Sequence, residues 1–295
     1  MGYEWLALAA AFLWAVASIL SVTPAQHLGT FAYSRWRMGC TSVILASMAW
    51  LTGGWASVEL SAVSAMALSG LVGIFIGDTA LFACLNRMGP RQAGLLFSCH
   101  AVFSAVLGYF LFSESMTSLE LIGSALVFSG VLTAIFFGRR GQAANSLESI
   151  KGNIWAGIGL GLLAALCQAL GGIIAKPIMQ TAIDPIAASA MRMMTAFVAH
   201  SVFFLSGARL ARATQPMNTR IFAITAINGF LAMAVGMTLI LYALREGNVG
   251  MVALLSSTTP IMLLPILWIY TKKRPNRYAW IGALVAVAGT SILVS

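Results

Sequence analysis

The chain has 295 residues, of which 60% are hydrophobic and only 8% charged. A soluble domain carries about a quarter of its residues as charges, so an ordinary soluble fold is excluded. The net charge of +9 is no signal for nucleic acid, because the basic residues sit between long apolar runs, where juxtamembrane Lys and Arg belong.

A membrane-spanning helix needs about 20 mostly apolar residues at ~1.5 Å each. In chain order, ten segments meet this: Tyr3–Val22, Thr30–Leu51, Ser61–Leu85, Arg91–Phe112, Leu119–Phe137, Asn153–Ala175, Asp184–Gly207, Arg220–Leu244, Asn248–Tyr270 and Tyr278–Val294. The first lacks a basic leader, so it is expected to be a spanning helix and not a cleaved signal peptide. Short connections carry turn residues such as Gly53-Gly54, Gly89-Pro90, Asp184-Pro185 and Pro275-Asn276. One linker-like stretch, Gly138–Gly152, holds Arg139, Arg140 and a polar run. The expected division is a first unit over 3–138, a polar linker over 139–152 and a second unit over 153–295.

The second unit repeats the first. Gly70, Gly77, Leu95, Ser98, Gly123 and Gly130 recur 159 residues later as Gly229, Gly236, Leu254, Ser257, Gly282 and Gly289. Ser34, Arg37 and Met38 recur as Ser189, Arg192 and Met193 at a displacement of 155. Five helices per unit is an odd number, so the second unit enters the bilayer from the opposite side. The expected fold is an all-α integral membrane protein with ten transmembrane helices arranged as two inverted five-helix repeats. Such duplication is common among small-solute transporters, with the substrate path between the halves. If side A denotes the side holding the loops after helices 1, 3, 5, 7 and 9, it carries fourteen Lys and Arg residues. Side B, with both termini, carries only Lys176 and Arg245. This bias places side A in the cytoplasm and both termini outside.

A few residues could carry chemistry. Asp78 is the one acidic residue well inside a predicted span. A carboxylate at that depth is costly unless paired, protonated or facing water, so it is a candidate for coupling to a proton or another ion, or for contacting substrate. A structural pair with Arg35 or Arg37, at similar depth, is an equal alternative. Arg37 and Arg192 share a repeat position and could hold an anionic group, or brace helix ends and snorkel. His100 lies near the midplane of helix 4, where an imidazole relays protons or simply bonds a neighbouring carbonyl; His200 lies toward side A. Trp14 and Gln168 are equivalent at a displacement of 154 and open the two units, and Asn228 joins this polar set. These three are candidates for lining a path, or interhelical glue. Pro260 should bend helix 9. Cys40, Cys84, Cys99 and Cys167 show no metal spacing and read as small core residues. No phosphate-binding loop, zinc motif or Ser/His/Asp grouping is present, so neither a cofactor, a metal nor an enzymatic reaction is expected.

The stretch Gly70–Val131 resembles the third to fifth helices of the drug/metabolite transporter superfamily, in particular its ten-helix EamA branch. It carries a Gly-rich helix, a Gly-Pro turn, an Ala/Leu/Ser helix, a glutamate turn at Glu114 and a Leu-Ile-Gly…Gly-Val helix. Tyr242–Val294 is similar to the second unit, with Pro260 at the position of the family's helix 9 proline. The resemblance implies a secondary transporter in a bacterial inner membrane that exports or exchanges small metabolites or drugs by alternating access. A flippase-like carrier of lipid-linked substrates, a role known among relatives, is the alternative it leaves open. Partners would be the bilayer, a small solute and a coupling ion such as a proton; no nucleic-acid partner is expected, and the oligomeric state is open. Two departures stand out. His100-Ala101 replaces a proline often found in helix 4 of the family, and the charge bias opposes the cytoplasmic termini generally expected of ten-helix members.

Overall fold

The fold is that of a computed structural model, which describes residues 2–114, 117–136, 152–272 and 277–294. The expected linker over 139–152, Gly152 excepted, and the Pro275-Asn276 turn lie outside the described residues. Among the described residues every regular element is helical. The first repeat contains α1 (Tyr3–Leu28), α2 (Thr30–Leu51), α3 (Leu60–Gly70), α4 (Gly77–Met88), α5 (Pro90–Ser98), α6 (His100–Phe112) and α7 (Ser118–Phe136). The second contains α8 (Ile154–Met179), α9 (Pro185–Leu205), α10 (Thr219–Gly229), α11 (Thr238–Glu246), α12 (Val249–Ser256), α13 (Thr259–Thr271) and α14 (Arg277–Val294).

These pieces assemble into ten rods. α3 and α4 join through a π-helical turn at Leu71–Ile76 into one span, Leu60–Met88. α10 and α11 join in the same way through Phe230–Met237 into Thr219–Glu246. α5–α6 and α12–α13 are broken spans, interrupted at Cys99 and at Ser257-Thr258. Seven rods are long and apolar enough to cross a membrane on length and composition; α2, α7 and α14 complete the set. The helix 9 bend falls just before Pro260, the second residue of α13, where the missing N–H leaves no bond unmade. The first repeat keeps its break without a proline. There Ser98 Oγ donates to Gly94 O (2.9 Å) and to Ser257 O (3.3 Å), so Ser98 touches its own repeat equivalent at the centre of the molecule.

Packing follows the duplication. α2 packs on α9 and α7 on α14, each against its counterpart; α6 packs on α12 as α13 packs on α5, and α4 packs on α8 as α11 packs on α1. Small residues permit these approaches. A Cβ on Gly70 would lie 2.4 Å from Arg192 O, and one on Gly229 would lie 3.2 Å from Arg37 O. The same crossing is thus built twice, with the two repeats exchanging roles.

The connections sort onto two sides. On side A, Thr214 N–H donates to Leu28 O and His27 Nε2 to Pro216 O, bringing the loops after α1 and α9 together. On side B, Asp184 N–H donates to Ser57 Oγ (2.7 Å), joining the loops after α2 and α8.

Candidate functional site

Where the two repeats meet lies a partly open cavity of about 80 Å³, room for several waters or a small organic group. Six of the seven polar or aromatic candidates line it: Trp14, Arg37, Asp78, His100, Gln168 and Asn228. Its lining extends to Leu85 and Pro90, at the side-A end of the first repeat. The symmetry breaks fall here too. Met237, equivalent to Asp78, and Thr259, equivalent to His100, also face the cavity, giving it a charged wall opposite a wall of thioether and hydroxyl.

Each group has a structural reason for its position. Asp78 follows the π turn directly, as the second residue of α4. Its Oδ2 accepts from Arg37 Nη2 at 2.9 Å, an ion pair that is 3% and 5% exposed. Arg37 stays in place because its guanidinium lies 4.7 Å from the Phe82 ring centre and 5.9 Å from that of Tyr33. Arg35, the other sequence candidate for pairing with Asp78, instead stacks 3.7 Å over Phe204. Trp14 Nε1 donates to Ala232 O (2.9 Å), tying α1 to the second repeat's π turn. Asn228 Nδ2 donates to Ala17 O (2.7 Å) and Ser21 Oγ (3.3 Å), which leaves its Oδ1 without a partner. His100 Nε2 is buried and unpartnered, with Phe97 5.1 Å away ring to ring. Gln168 is half-buried on the lining.

Arg192 is the exception. It is 2% exposed and absent from the lining, its Nη2 set against Gly73 and Gly171.

On side B two charged side chains cap helix ends in a way that the residue pattern did not assign. Glu114 accepts from the N–H groups of Val249 (2.9 Å) and Gly250 (3.3 Å), the start of α12. Gly108 leaves room for that carboxylate, since a Cβ there would lie 2.5 Å from Glu114 Oε2. Lys176 Nζ donates to Leu244 O (2.9 Å) and Gly247 O (2.6 Å), the end of α11. These are charge-assisted bonds to helix termini, each aligned with the local dipole. The sequence marked Glu114 only through the family turn and Lys176 only as a side-B cation. His200, read as peripheral, is 2% exposed and bonds Thr79 Oγ1 (3.0 Å) and Ala196 O (2.8 Å), linking α9 to the residue after Asp78.

A duplicated helical bundle with apolar spans, around a central, mostly apolar cavity that holds a few charged and polar groups, is the architecture of many small-solute transporters. Residues 1–136 and 155–295 match the EamA-like transporter family, and the chain belongs to that family; it is a membrane transporter of small metabolites. The chain is 29% identical over 231 residues to a probable amino-acid metabolite efflux pump of Salmonella typhimurium, covering 75% of this chain and 73% of that one. It is 28% identical to the pump of the same description in Escherichia coli, covering 76% and 74%. The uncharacterized transporter YyaM of Bacillus subtilis is 27% identical over 144 residues, a match that spans 48% of this chain and 45% of that protein. A protein crystal structure 12% identical in sequence superposes with a TM-score of 0.76, covering 98% of this chain and 95% of that one, which speaks for the fold alone.

Proposed function

We propose that the protein is a secondary transporter of a bacterial inner membrane that exports or exchanges small amino-acid-like metabolites by alternating access. The observation that carries this reading is the cavity between the repeats, which reaches toward side A and is capped toward side B by Glu114 and Lys176. Alternating access requires such a one-sided state and a mirror state, and inverted repeats supply the second by exchanging conformations. The charge bias supports side A as the cytoplasmic side, with solute entering there.

The chemistry of the lining suits a solute with an ammonium group and an apolar body. Asp78 engages Arg37 through Oδ2 only, and Asn228 Oδ1 is free, so two acceptors await donors. Phe97, Met233 and Met237 offer the apolar wall, and thioethers adapt to varied side chains. The relatives described as probable amino-acid metabolite efflux pumps agree with this class. Counterflow in reconstituted vesicles tests it. Vesicles preloaded with an unlabelled amino acid should accumulate the labelled form, and His100→Thr should alter the order of preference among solutes. If no solute in a metabolite-wide panel moves faster than in empty vesicles, the reading fails.

A further inference from the structure

Arg37 and Arg192 hold the same position in the two repeats, and each is 2% exposed. Their settings differ by one residue. Arg37 lies against Gly229 of the second repeat and donates to Asp78 of its own repeat. Arg192 lies against Gly70 of the first repeat, but its own repeat has Met237 where Asp78 should be. The second repeat has kept the cation and lacks its acid. Accordingly no hydrogen bond or ion pair reaches the Arg192 guanidinium among the described residues, and its Nε, like that of Arg37, is buried without a partner. A buried guanidinium left so is costly.

The nearest remedy is Asp78 itself. Arg192 Nη2 lies 3.2 Å from where a Cβ on Gly73 would stand, about a turn before Asp78 on the same span, and the two charges attract. Between Gly70, which touches Arg192, and Asp78 runs the π turn Leu71–Ile76. Such turns carry one residue more than α-helix and concentrate at functional sites; resolving one rotates the helix beyond it. In inverted-repeat transporters the second state arises when each repeat adopts the other's conformation. That exchange puts Arg192 into the arrangement Arg37 now has, where it needs a carboxylate, and among the described residues Asp78 is the one acid on the cavity lining.

We propose that Arg192 is a positioning residue, the alternate partner of Asp78: Asp78 is held by Arg37 when the cavity faces side A and by Arg192 when it faces side B. The proposal rests on the alternating-access reading given above. Two repeat-equivalent sites make it testable. Ser18 lines the side-A cavity, and Gly172 is its counterpart at the displacement of 154, with only Val249 Cγ1 near an added Cβ, at 3.9 Å.

In protein with its native cysteines replaced, maleimide labelling of Ser18→Cys and Gly172→Cys in detergent reports the two openings without regard to membrane orientation. The parent should label at both. Arg192→Met should slow labelling at Gly172→Cys by roughly tenfold or more, as the side-B state loses its ion pair, while Arg37→Met should slow Ser18→Cys. Met237→Asp keeps Arg192 and gives it an acid of its own, in the arrangement Arg37 has with Asp78; it should speed labelling at Gly172→Cys, and it serves if Arg192→Met does not fold. Arg192→Lys should restore labelling in part. Should Gly172→Cys never label in the parent, the alternating-access reading falls. Should it label in the parent and label equally fast with Arg192→Met or Met237→Asp, the alternate-partner role alone is overturned.

Discussion

Replacing Asp78 by asparagine isolates the worth of the buried pair. Two opposite charges about 4 Å apart attract by ~4 kcal/mol at an effective dielectric of 20, and truncating one member of a buried pair costs about 3–5 kcal/mol. Asparagine keeps an oxygen for Arg37 Nη2, and a neutral bond of that kind returns about 1 kcal/mol. Arg37 also keeps its place over Phe82. The variant is therefore expected to lose about 2–4 kcal/mol of stability, with Arg37 and Arg192 left as two buried cations without a carboxylate. Adding Arg37→Met removes the stranded charge, so the double variant should fall short of the summed single costs by about 2 kcal/mol or more. Unfolding of the purified protein in mixed micelles, with all four members of the cycle compared at one pH and salt, measures both quantities. A single-variant cost under about 1 kcal/mol, the range of exposed pairs, or additive costs in the double variant, would refute the claim that the pair is buried and mutually dependent.

Three further outcomes rest on the geometry. Gly70→Ala drives a Cβ to 2.4 Å from Arg192 O and 2.8 Å from Arg192 Cα; both are backbone atoms, so a loss of about 1–3 kcal/mol is expected, whereas Gly159→Ala, with nothing within 4 Å, should be neutral or slightly stabilising in the same assay. Glu114→Gln leaves one acceptor for two N–H donors and removes a negative charge from the α12 N-terminus, so it should cost about 1–2 kcal/mol and raise the labelling rate at Gly172→Cys. Gly108→Ala pushes on the same carboxylate from below, at 2.5 Å, and should raise that rate in the same direction; unchanged labelling in both variants would show that Glu114 does not hold side B shut.

Much of the fold was legible because a bilayer imposes long apolar windows and a duplication marks itself by fixed offsets. α2 occupies the span read from its apolar run despite carrying Arg35 and Arg37. The breaks were harder to see. A π turn differs from an α turn by one residue and leaves no composition mark, so Leu71–Ile76 read as uninterrupted helix. The missing proline at His100-Ala101 left open a lost bend or its replacement by polar contacts; the break at Cys99 is present, with the Ser98 hydroxyl bonding Gly94 O and crossing to Ser257 O. That contact requires the two repeats to be brought face to face, which no window of sequence contains. For the same reason the spacing could not choose between Arg35 and Arg37 as the partner of Asp78, nor reveal that Lys176 and Glu114 cap helix ends on α11 and α12.

The division between matching and differing residues has its own logic. A strictly symmetric duplicate would have two states of equal energy and a cavity with two like walls. On the proposed alternating access, the matched residues, the close-packed glycines, the π turns and the paired arginines, are those that would let the repeats exchange conformations. The unmatched ones, Asp78 against Met237 and His100 against Thr259, all lie on the cavity. Placing one carboxylate between two equivalent arginines makes the two states unequal by the difference in its two pairings. Bound solute competes for that same carboxylate. A solute amine at Asp78 Oδ1 would draw on the charge that Arg37 now holds, weakening the pairing that favours the side-A state. On this proposal solute binding and the direction of the cavity are coupled through that shared group, without any further ionisable residue on the lining except His100 among the described residues.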